Sequence, residues 1–161
     1  MTNNDCLRRI RYILDLSDSN MIDIFAQANQ DVTRAEVSAW LKKDDDADFV
    51  KCRDIIFATF LNGLIHDKRG KKEGTQAEPE PRLNNNIIFM KLKIAFNLQA
   101  EAIVSILALA DLRVSKSELS AFFRRPDHKH FRKCQDQILR NFLKGLQLQH
   151  RNELDPDDLF Q

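Results

Sequence analysis

The sequence reads FVKCRDIIFATFLNGL at residues 49–64 and FRKCQDQILRNFLKGL at residues 131–146. Aligning Phe49 with Phe131 brings these two stretches into register, and the match extends outward from them at the same offset. Residues 3–70 align with residues 85–152 without a gap, and 21 of the 68 aligned positions are identical. Most other matches are conservative exchanges of one apolar or basic residue for another. A repeat of this length predicts that the two parts of the chain share one fold.

Each copy of the repeat has the pattern of four helices. In the first copy the first helix is predicted at about residues 4–16 and the fourth at roughly 48–66. The second helix is predicted to start near Ser19 and the third after Thr33. Thr33 followed by Glu36 is typical of a helix start, and Ser115 with Glu118 repeats this capping box. No segment alternates apolar and polar residues as a half-buried strand does. The sequence therefore predicts an all-α protein made of two tandem, homologous four-helix units.

The fourth helix of each copy is expected to lie at the centre of the core. Its apolar side chains recur at steps of three or four residues, which is the spacing of a buried stripe. Gly63 and Gly145 lie inside it, and we interpret them as points where two helices approach closely, because Gly costs a helix about 1 kcal/mol relative to Ala. The Asn pairs at residues 3–4 and 85–86 are expected to cap the first helices. We expect burial of Trp40, Phe49, Cys52, Phe60, Leu64, Phe122, Phe131, Cys134, Phe142 and Leu146.

The shared residues of the two units resemble a known family. Units that begin with Asn-Asn and end with Phe-x-x-Cys-x-Asp…Phe-Leu-x-Gly-Leu are similar to the YehS-type family of bacterial proteins. The positions that carry this pattern are Phe49, Cys52, Asp54, Phe60, Leu61, Gly63 and Leu64, with Phe131, Cys134, Asp136, Phe142, Leu143, Gly145 and Leu146. The resemblance implies a bacterial source and a helical fold. It implies no activity, because the family is one of unknown function.

Composition divides the chain into four segments. We assign residues 1–70 to the first unit, 71–83 to a flexible linker, 84–152 to the second unit and 153–161 to an acidic, disordered tail. The linker is rich in Gly, Pro and charged residues and has no apolar periodicity. The tail ends Asp157-Asp158-Leu159-Phe160-Gln161, and acidic residues before Leu-Phe resemble short motifs that dock on the bacterial sliding clamp. The alternative interpretation is a solubilising tail without a partner.

The composition is that of an ordinary soluble domain, with 43% hydrophobic and 30% charged residues. The polar, basic N-terminal stretch lacks the apolar run of a signal peptide, and no stretch is apolar for long enough to cross a membrane. We therefore expect a cytoplasmic protein without a membrane partner. Three cysteines at wide spacing argue against a disulfide framework. No catalytic triad, phosphate-binding Gly loop or paired carboxylate is legible, so we expect a protein that is not an enzyme and has no cofactor.

Charge separates the two units. Residues 1–70 hold 10 Lys and Arg against 12 Asp and Glu, a net charge of −2, whereas residues 84–152 hold 12 against 5, a net charge of +7. The tail, residues 153–161, carries four acids and no base, a net charge of −4. An excess of cations confined to one half of the chain indicates a partner that is itself anionic, such as nucleic acid.

The second and third predicted helices of each unit resemble a helix-turn-helix motif. A short helix is followed by a turn and then by a helix with a Thr or Ser cap, although the turn is about one residue longer than usual and lacks the customary Gly. In the second unit the third helix and the stretch after it are strongly basic. The residues expected to contact nucleic acid are Lys116, Arg124, Arg125, His128, Lys129, Arg132 and Lys133.

Several alternatives stay open at this point. The first unit has aspartates at residues 44–48 where the second is basic, so the two stretches could be solvated surfaces of opposite sign. They could also pair with each other, within or between chains. A structural or self-associating protein–protein module is the second functional hypothesis. A metal site at His128, His130 and Cys134 is not favoured, because the first unit has a different set there and no further ligand completes it.

Overall fold

The computed structural model of the chain describes residues 1–71, 73–74 and 76–151, and every regular element within these ranges is a helix. The eight helices of the described residues are α1 (Asn3–Leu14), α2 (Asp18–Gln27), α3 (Arg34–Leu41), α4 (Asp54–Arg69), α5 (Asn85–Ala95), α6 (Ala100–Leu109), α7 (Lys116–Ala121) and α8 (Asp136–His150). No single one of them is long and apolar enough to cross a membrane. Only α5 and α6 taken together pass that test, and they are bent by 110° at their junction.

The helices recur at the predicted offset, which places Asn3 on Asn85. Each helix of the second unit begins at the residue equivalent to the start of its counterpart, and α2 and α6 end at equivalent residues as well. The remaining pairs differ by one or two residues at their C-terminal ends. The all-α fold with two tandem four-helix units is therefore confirmed. The limits assigned to the units and the linker stay a prediction, and the tail at 153–161 lies outside the described residues.

Side-chain caps begin most of the helices. Thr33 and Ser115 each accept a hydrogen bond from the backbone amide three residues on and form the predicted capping boxes. The prediction for the first helix of each unit was wrong by one or two positions. Thr2 caps α1 and Asn84 caps α5, so both Asn pairs lie inside the first helical turn. Their side chains are thereby free for another task, described below.

The fourth helix of each unit begins later than predicted. It starts at Asp54 rather than near residue 48, and α8 correspondingly starts at Asp136. The buried side chain of Asn4 supplies the physical reason. Its Nδ2 donates to the carbonyls of Trp40 and Val50 at 2.9 Å each, and its Oδ1 accepts from the Cys52 amide at 3.0 Å. These bonds satisfy the polar backbone groups of the loop before α4 in a non-helical conformation. Phe49 and Cys52 are three residues apart, as on a helix, but they lie in this loop.

Each unit has an aromatic core under its fourth helix. In the first unit Phe25 contacts Trp40 and Phe60, with ring centroids 5.5 and 5.3 Å apart. Eight of the ten predicted core residues are buried as expected. Phe49 and Phe131 are the exceptions and are half-buried, because they lie in the loop before the fourth helix and cover only the edge of the core.

The two helical glycines mark the closest helix contacts, as predicted. A Cβ atom on Gly63 would lie 1.9 Å from the carbonyl oxygen of Ile24, and one on Gly145 would lie 2.1 Å from that of Ile106. These distances are far inside van der Waals contact, so α4 presses on α2, and α8 on α6, at positions where no side chain fits. Gly is tolerated in these helices because it allows this approach.

The two units pack against each other reciprocally. The first helix of each unit lies on the fourth helix of the other, so that α1 contacts α8 and α5 contacts α4. Exchanging the units leaves this pattern of contacts unchanged, which is the arrangement of a two-fold symmetric dimer within a single chain. One continuous hydrophobic core therefore joins residues from both units.

Candidate nucleic-acid interface

The predicted interface lies around α7 and the loop that follows it. The turn between α6 and α7 contains Asp111 at φ 62°, and Asn29 takes the equivalent place in the first unit at φ 60°. Asn and Asp tolerate this left-handed conformation better than other residues with a side chain, which accounts for a turn without Gly here. The helix α7 has 6 residues, about 9 Å at 1.5 Å per residue. It is short for a helix that reads bases in the major groove.

One buried side chain holds the loop after α7 in place. Asn86, which is 8% exposed, donates from Nδ2 to the carbonyls of Phe122 and Arg132 at 3.0 and 2.9 Å. Its Oδ1 accepts from the Cys134 amide at 3.0 Å. A backbone bond from Arg132 to the Ala121 carbonyl, 3.1 Å long, ties the loop to the end of α7. The loop is therefore rigidly attached at both ends.

The structure brings three of the seven predicted residues together. We call residues 124–133 the basic loop and the depression between it and α7 the basic groove. The groove has a volume of about 500 Å³ and is lined by Arg124, Lys129 and Arg132, with Glu118 on the α7 side. The other four predicted residues do not line the groove. They are Lys116, Arg125, His128 and Lys133, and all are exposed.

Ion pairs divide the predicted cations into two classes. Lys116 Nζ lies 2.6 Å from Glu101 Oε1, and Arg125 Nε lies 3.6 Å from Asp127 Oδ1. Among the described residues no ion pair involves the four other cations, namely Arg124, Lys129, Arg132 and Lys133. None of these four exposed cations therefore forms an ion pair with a carboxylate of the described residues.

The corresponding surface of the first unit has a different character. Its groove, also of about 500 Å³, is lined by Trp40, Val50 and Ile56 among others, and Val50 is 50% exposed where the second unit has Arg132. Beside it lies what we call the acidic loop, residues 44–48, with Asp44, Asp45, Asp46 and Asp48. In the part of the chain that the structure describes, no ion pair joins the acidic loop to the basic loop. The two grooves have diverged on a shared backbone.

The cysteines have the environment of core residues. Burial raises the pKa of the thiols of Cys6, Cys52 and Cys134 to about 12 in each case. A thiol that is protonated and out of reach of solvent is a poor nucleophile and a poor metal ligand. His128 and His130 lie with ring centroids 5.5 Å apart, and no group of three or more His, Cys, Asp or Glu within the described ranges could hold a metal ion.

The two Asn pairs, which were predicted to cap helices, bind the loop and the start of the fourth helix in their own unit instead. Asn3 Nδ2 donates to the Cys52 carbonyl at 3.0 Å and to Asp54 Oδ1 at 2.7 Å, and Asn85 repeats both bonds in the second unit at the same lengths. The signal was present, because an Asn-Asn pair recurs at the same offset as the rest of the repeat. Helix capping needs only neighbouring residues and can be predicted from local spacing. A contact from Asn3 to Cys52 and Asp54 cannot, because those partners are distant in the sequence.

A two-unit helical architecture with diverged grooves defines a duplicated all-α protein, and comparison with known families agrees. The family described as "Protein of unknown function (DUF1456)" matches residues 3–70 and again residues 85–152, and the chain belongs to this family.

A relative is known from Escherichia coli (strain K12), where it is described as "Uncharacterized protein YehS". It is 48% identical over 147 residues, which cover 91% of this chain and 94% of the relative. No solved structure matches the chain. The resemblance to the YehS-type family is thus confirmed, and so is the absence of an assigned function for that family.

Proposed function

We propose that this protein is a non-enzymatic interaction module that binds nucleic acid through the basic groove and the basic loop of its second unit. The observation that carries the proposal is the set of four exposed cations, Arg124, Lys129, Arg132 and Lys133, on a loop that is held at both ends. Cations that have no carboxylate partner and stand on an already ordered backbone are well suited to phosphate contacts. The proposal places the protein in the cytoplasm, where bacterial nucleic acid is found.

The geometry favours contacts with the sugar–phosphate backbone over reading of bases. α7 offers only 6 residues, and its exposed positions include Ser117, Glu118 and Ser120, of which Glu118 repels phosphate. The cations come from the loop instead and lie beside the groove. Backbone contacts fix position and carry no sequence information directly, so we expect similar affinity for unrelated sequences.

Salt dependence tests this proposal. Mobility shifts of unrelated duplex DNA, single-stranded DNA and RNA are measured with the whole chain between about 50 and 200 mM salt. Four phosphate contacts on a duplex should give a slope of log K against log salt of about −3.6. Replacing all four unpaired cations with Ala should abolish that slope and weaken binding roughly equally for every sequence.

The first unit offers a matched control. Lys42 and Lys51 are the equivalents of Arg124 and Lys133 in the repeat, so K42A/K51A removes as many cations from the first unit as R124A/K133A removes from the second. K42A/K51A should bind like the unaltered protein, whereas R124A/K133A should bind more weakly. Equal losses in the two variants would show a non-specific effect of net charge. No binding to any nucleic acid at low salt would reject the proposal.

Self-association is the second candidate function. It is favoured by the apolar groove of the first unit, which is lined by Trp40, Ile56 and Val50, the last of them 50% exposed. Exposed apolar side chains that cluster beside a groove are typical of a protein contact. Sedimentation velocity of the unaltered protein and of V50K distinguishes the hypotheses. A dimer that V50K dissociates would favour the protein–protein module.

A further inference from the structure

A cavity of about 690 Å³ lies between the two units, where α4 packs against α5 and residues 76–80 run alongside. Much of its wall is apolar and includes Ile65 from α4, with Ile87, Met90 and Ile94 from α5. Sites for small organic ligands have this size and are typically apolar with a few placed polar groups. The basic groove belongs to the second unit, whereas this cavity needs both.

A buried cation lies in the wall of the cavity. Lys91 is 8% exposed, and its Nζ lies 2.5 Å from Asn62 Oδ1 and 2.9 Å from Glu80 Oε1. A buried ammonium group is costly without an anionic partner, so a carboxylate is required here. Glu80 supplies one from the segment that connects the units.

The ion pair between Lys91 and Glu80 is asymmetric in its exposure. The side chain of Lys91 is 10% exposed, whereas that of Glu80 is 32% exposed. An external carboxylate that took the place of Glu80 would keep an anionic partner at the buried ammonium group and would return Glu80 to water.

Further positive charge surrounds the cavity. Arg69, near the end of α4, lines it, is exposed and is in no ion pair among the described residues, and Arg124 lines it from the other side. Arg69, Lys91 and Arg124 face a cavity in which Glu80 is the acidic lining residue. The electrostatic preference is for an anion, and the apolar wall requires that this anion carry an apolar body.

The pseudo-symmetric position, between α1 and α8, has polar side chains where the cavity has apolar ones. In the alignment of the two units, Arg8 is the equivalent of Met90 and Tyr12 is the equivalent of Ile94. Arg151 lies over the Tyr12 ring at 4.4 Å, and Arg8 donates to the Lys42 carbonyl at 2.7 Å. Arg8 and Tyr12, each with a partner of its own, thus stand where the cavity has the apolar side chains of Met90 and Ile94. The apolar cavity belongs to the α4–α5 side.

We propose that this cavity binds a small amphipathic organic acid. The carboxylate of the ligand replaces Glu80 at Lys91, and its aliphatic or aromatic body packs among Ile87, Met90 and Ile94. Glu80 holds the site in the absence of ligand by presenting the same chemical group. The proposal does not depend on nucleic-acid binding, because Lys91 and Glu80 lie outside the basic groove and the two sites share only the rim residues Arg124 and Phe131.

Competition for a fluorescent probe tests the proposal on the whole chain. Anilinonaphthalene sulfonate, an anion with an aromatic body, reports the cavity by its emission. Decanoate, decanol, decylammonium and acetate are then added as competitors. Decanoate should displace the probe at a concentration about ten-fold or more below that of decanol, since a charge-assisted bond is worth that much. Acetate, which lacks the body, and decylammonium, which has the wrong charge, should not compete.

Variants at the two ends of the ion pair give opposite predictions. K91M should abolish the preference for decanoate over decanol, and E80Q should strengthen decanoate binding several-fold by removing the internal competitor. R9M removes the cation at the pseudo-symmetric position and should leave the preference unchanged. Equal competition by decanoate and decanol in the unaltered protein, or no change in either K91M or E80Q, would overturn the proposal.

Folding of the variants is checked by thermal melting. If K91M does not fold, I94W decides the question, since Ile94 lines the cavity and is 43% exposed. I94W should fill the cavity and reduce probe binding several-fold. Probe binding that survives I94W unchanged would place the site elsewhere and reject the assignment.

Discussion

Asp54 of the first unit accepts a hydrogen bond on Oδ2 from the backbone nitrogen of Leu83, 2.9 Å away and immediately before the second unit. The reverse contact joins the N-terminal amine of Met1 to Asp136 Oδ2, also at 2.9 Å. Met1 and Leu83 are separated by the offset of the repeat, as are the two aspartates. Each aspartate binds its own unit through Oδ1 and the other unit through Oδ2. The same residue thus begins the fourth helix and joins the two units.

The first prediction concerns the pH dependence of this contact. The hydrogen bonds from the Leu83 backbone and from Asn3 lower the pKa of Asp54 below its ordinary value of 3.8. A lowered pKa in the folded state means that the carboxylate stabilises the protein above pH 3.8, and that this stabilisation is lost as the pH falls from there through the folded-state pKa. D54A should therefore lose about 1 kcal/mol of unfolding free energy at neutral pH and show a shallower loss in acid.

Urea titrations of D54A at neutral and acidic pH measure both effects. D45N is the matched control, because Asp45 lies in the acidic loop and is exposed. It should match the unaltered protein across the range. Parallel stability curves for D54A and the unaltered protein below pH 4 would contradict the prediction.

The second prediction concerns the buried Asn that holds the basic loop. N86A leaves the Cys134 amide and the carbonyls of Phe122 and Arg132 without their partner. Each buried group left unsatisfied costs about 1–3 kcal/mol, so we expect a total loss of about 3 kcal/mol, with some relief from entering water. N4A should cost a similar amount, since Asn4 makes the same three bonds in the first unit. Chemical denaturation measures both.

Binding separates the two Asn variants. Because Asn86 holds the basic loop and Asn4 does not, only N86A should weaken nucleic-acid binding under conditions where both variants are folded. Equal binding by the two would show that a rigid basic loop is not needed for the interaction.

The third prediction reverses a helix-propensity rule. Ala is favoured over Gly by about 1 kcal/mol inside an exposed helix, yet G63A should destabilise the protein by about 1–3 kcal/mol. The added Cβ would lie 1.9 Å from the Ile24 carbonyl oxygen, so α2 and α4 must separate. G145A should behave alike. Melting temperatures are measured beside K144A, an exposed helical site that should be nearly neutral. A G63A variant that melts at a higher temperature than the unaltered protein would show that α2 and α4 can separate without a loss of stability.

The fourth prediction uses the three free cysteines. Each is at most 1% exposed, and burial raises each thiol pKa to about 12. Ellman's reagent should therefore modify none of them rapidly in the native protein at neutral pH, and all three in urea. The rate of slow native labelling should follow the free energy of unfolding across the Asn86 and Gly63 variants. Rapid native labelling of one thiol would place it outside the core.

The fifth prediction concerns the tail, whose residues 153–161 lie outside the described part of the chain. Its net charge of −4 competes with phosphate for a second unit whose net charge is +7. Deleting residues 153–161 should therefore strengthen nucleic-acid binding, most clearly at low salt. Replacing Leu159 and Phe160 with Ala at unchanged charge is the control and should leave affinity unaltered. Weaker binding after the deletion would assign the tail a role in the contact itself.

Local features of the sequence were sufficient for the all-helical fold of each unit. Capping boxes at Thr33 and Ser115, the apolar stripe of the fourth helix and the paired glycines all act over a few residues, so their spacing can be read directly. The prediction was wrong at Phe49, because the apolar spacing of the fourth helix continues into the loop that precedes α4. Asn4, near the start of the chain, binds the backbone there, and no local pattern records so distant a partner.

The occurrence of one fold twice follows from the primary structure alone, because 21 identical positions at one offset preserve the same buried faces. The way in which the two copies meet emerges only in three dimensions. The crossed packing of α1 on α8 and of α4 on α5 depends on side chains that differ between the copies, such as Arg8 and Met90. Those differences place polar contacts at Arg8 and Tyr12 on one side of the pseudo-dyad and an apolar cavity wall on the other. Packing across an interface depends on the shapes of both partners at once, which an alignment of one copy with the other does not contain.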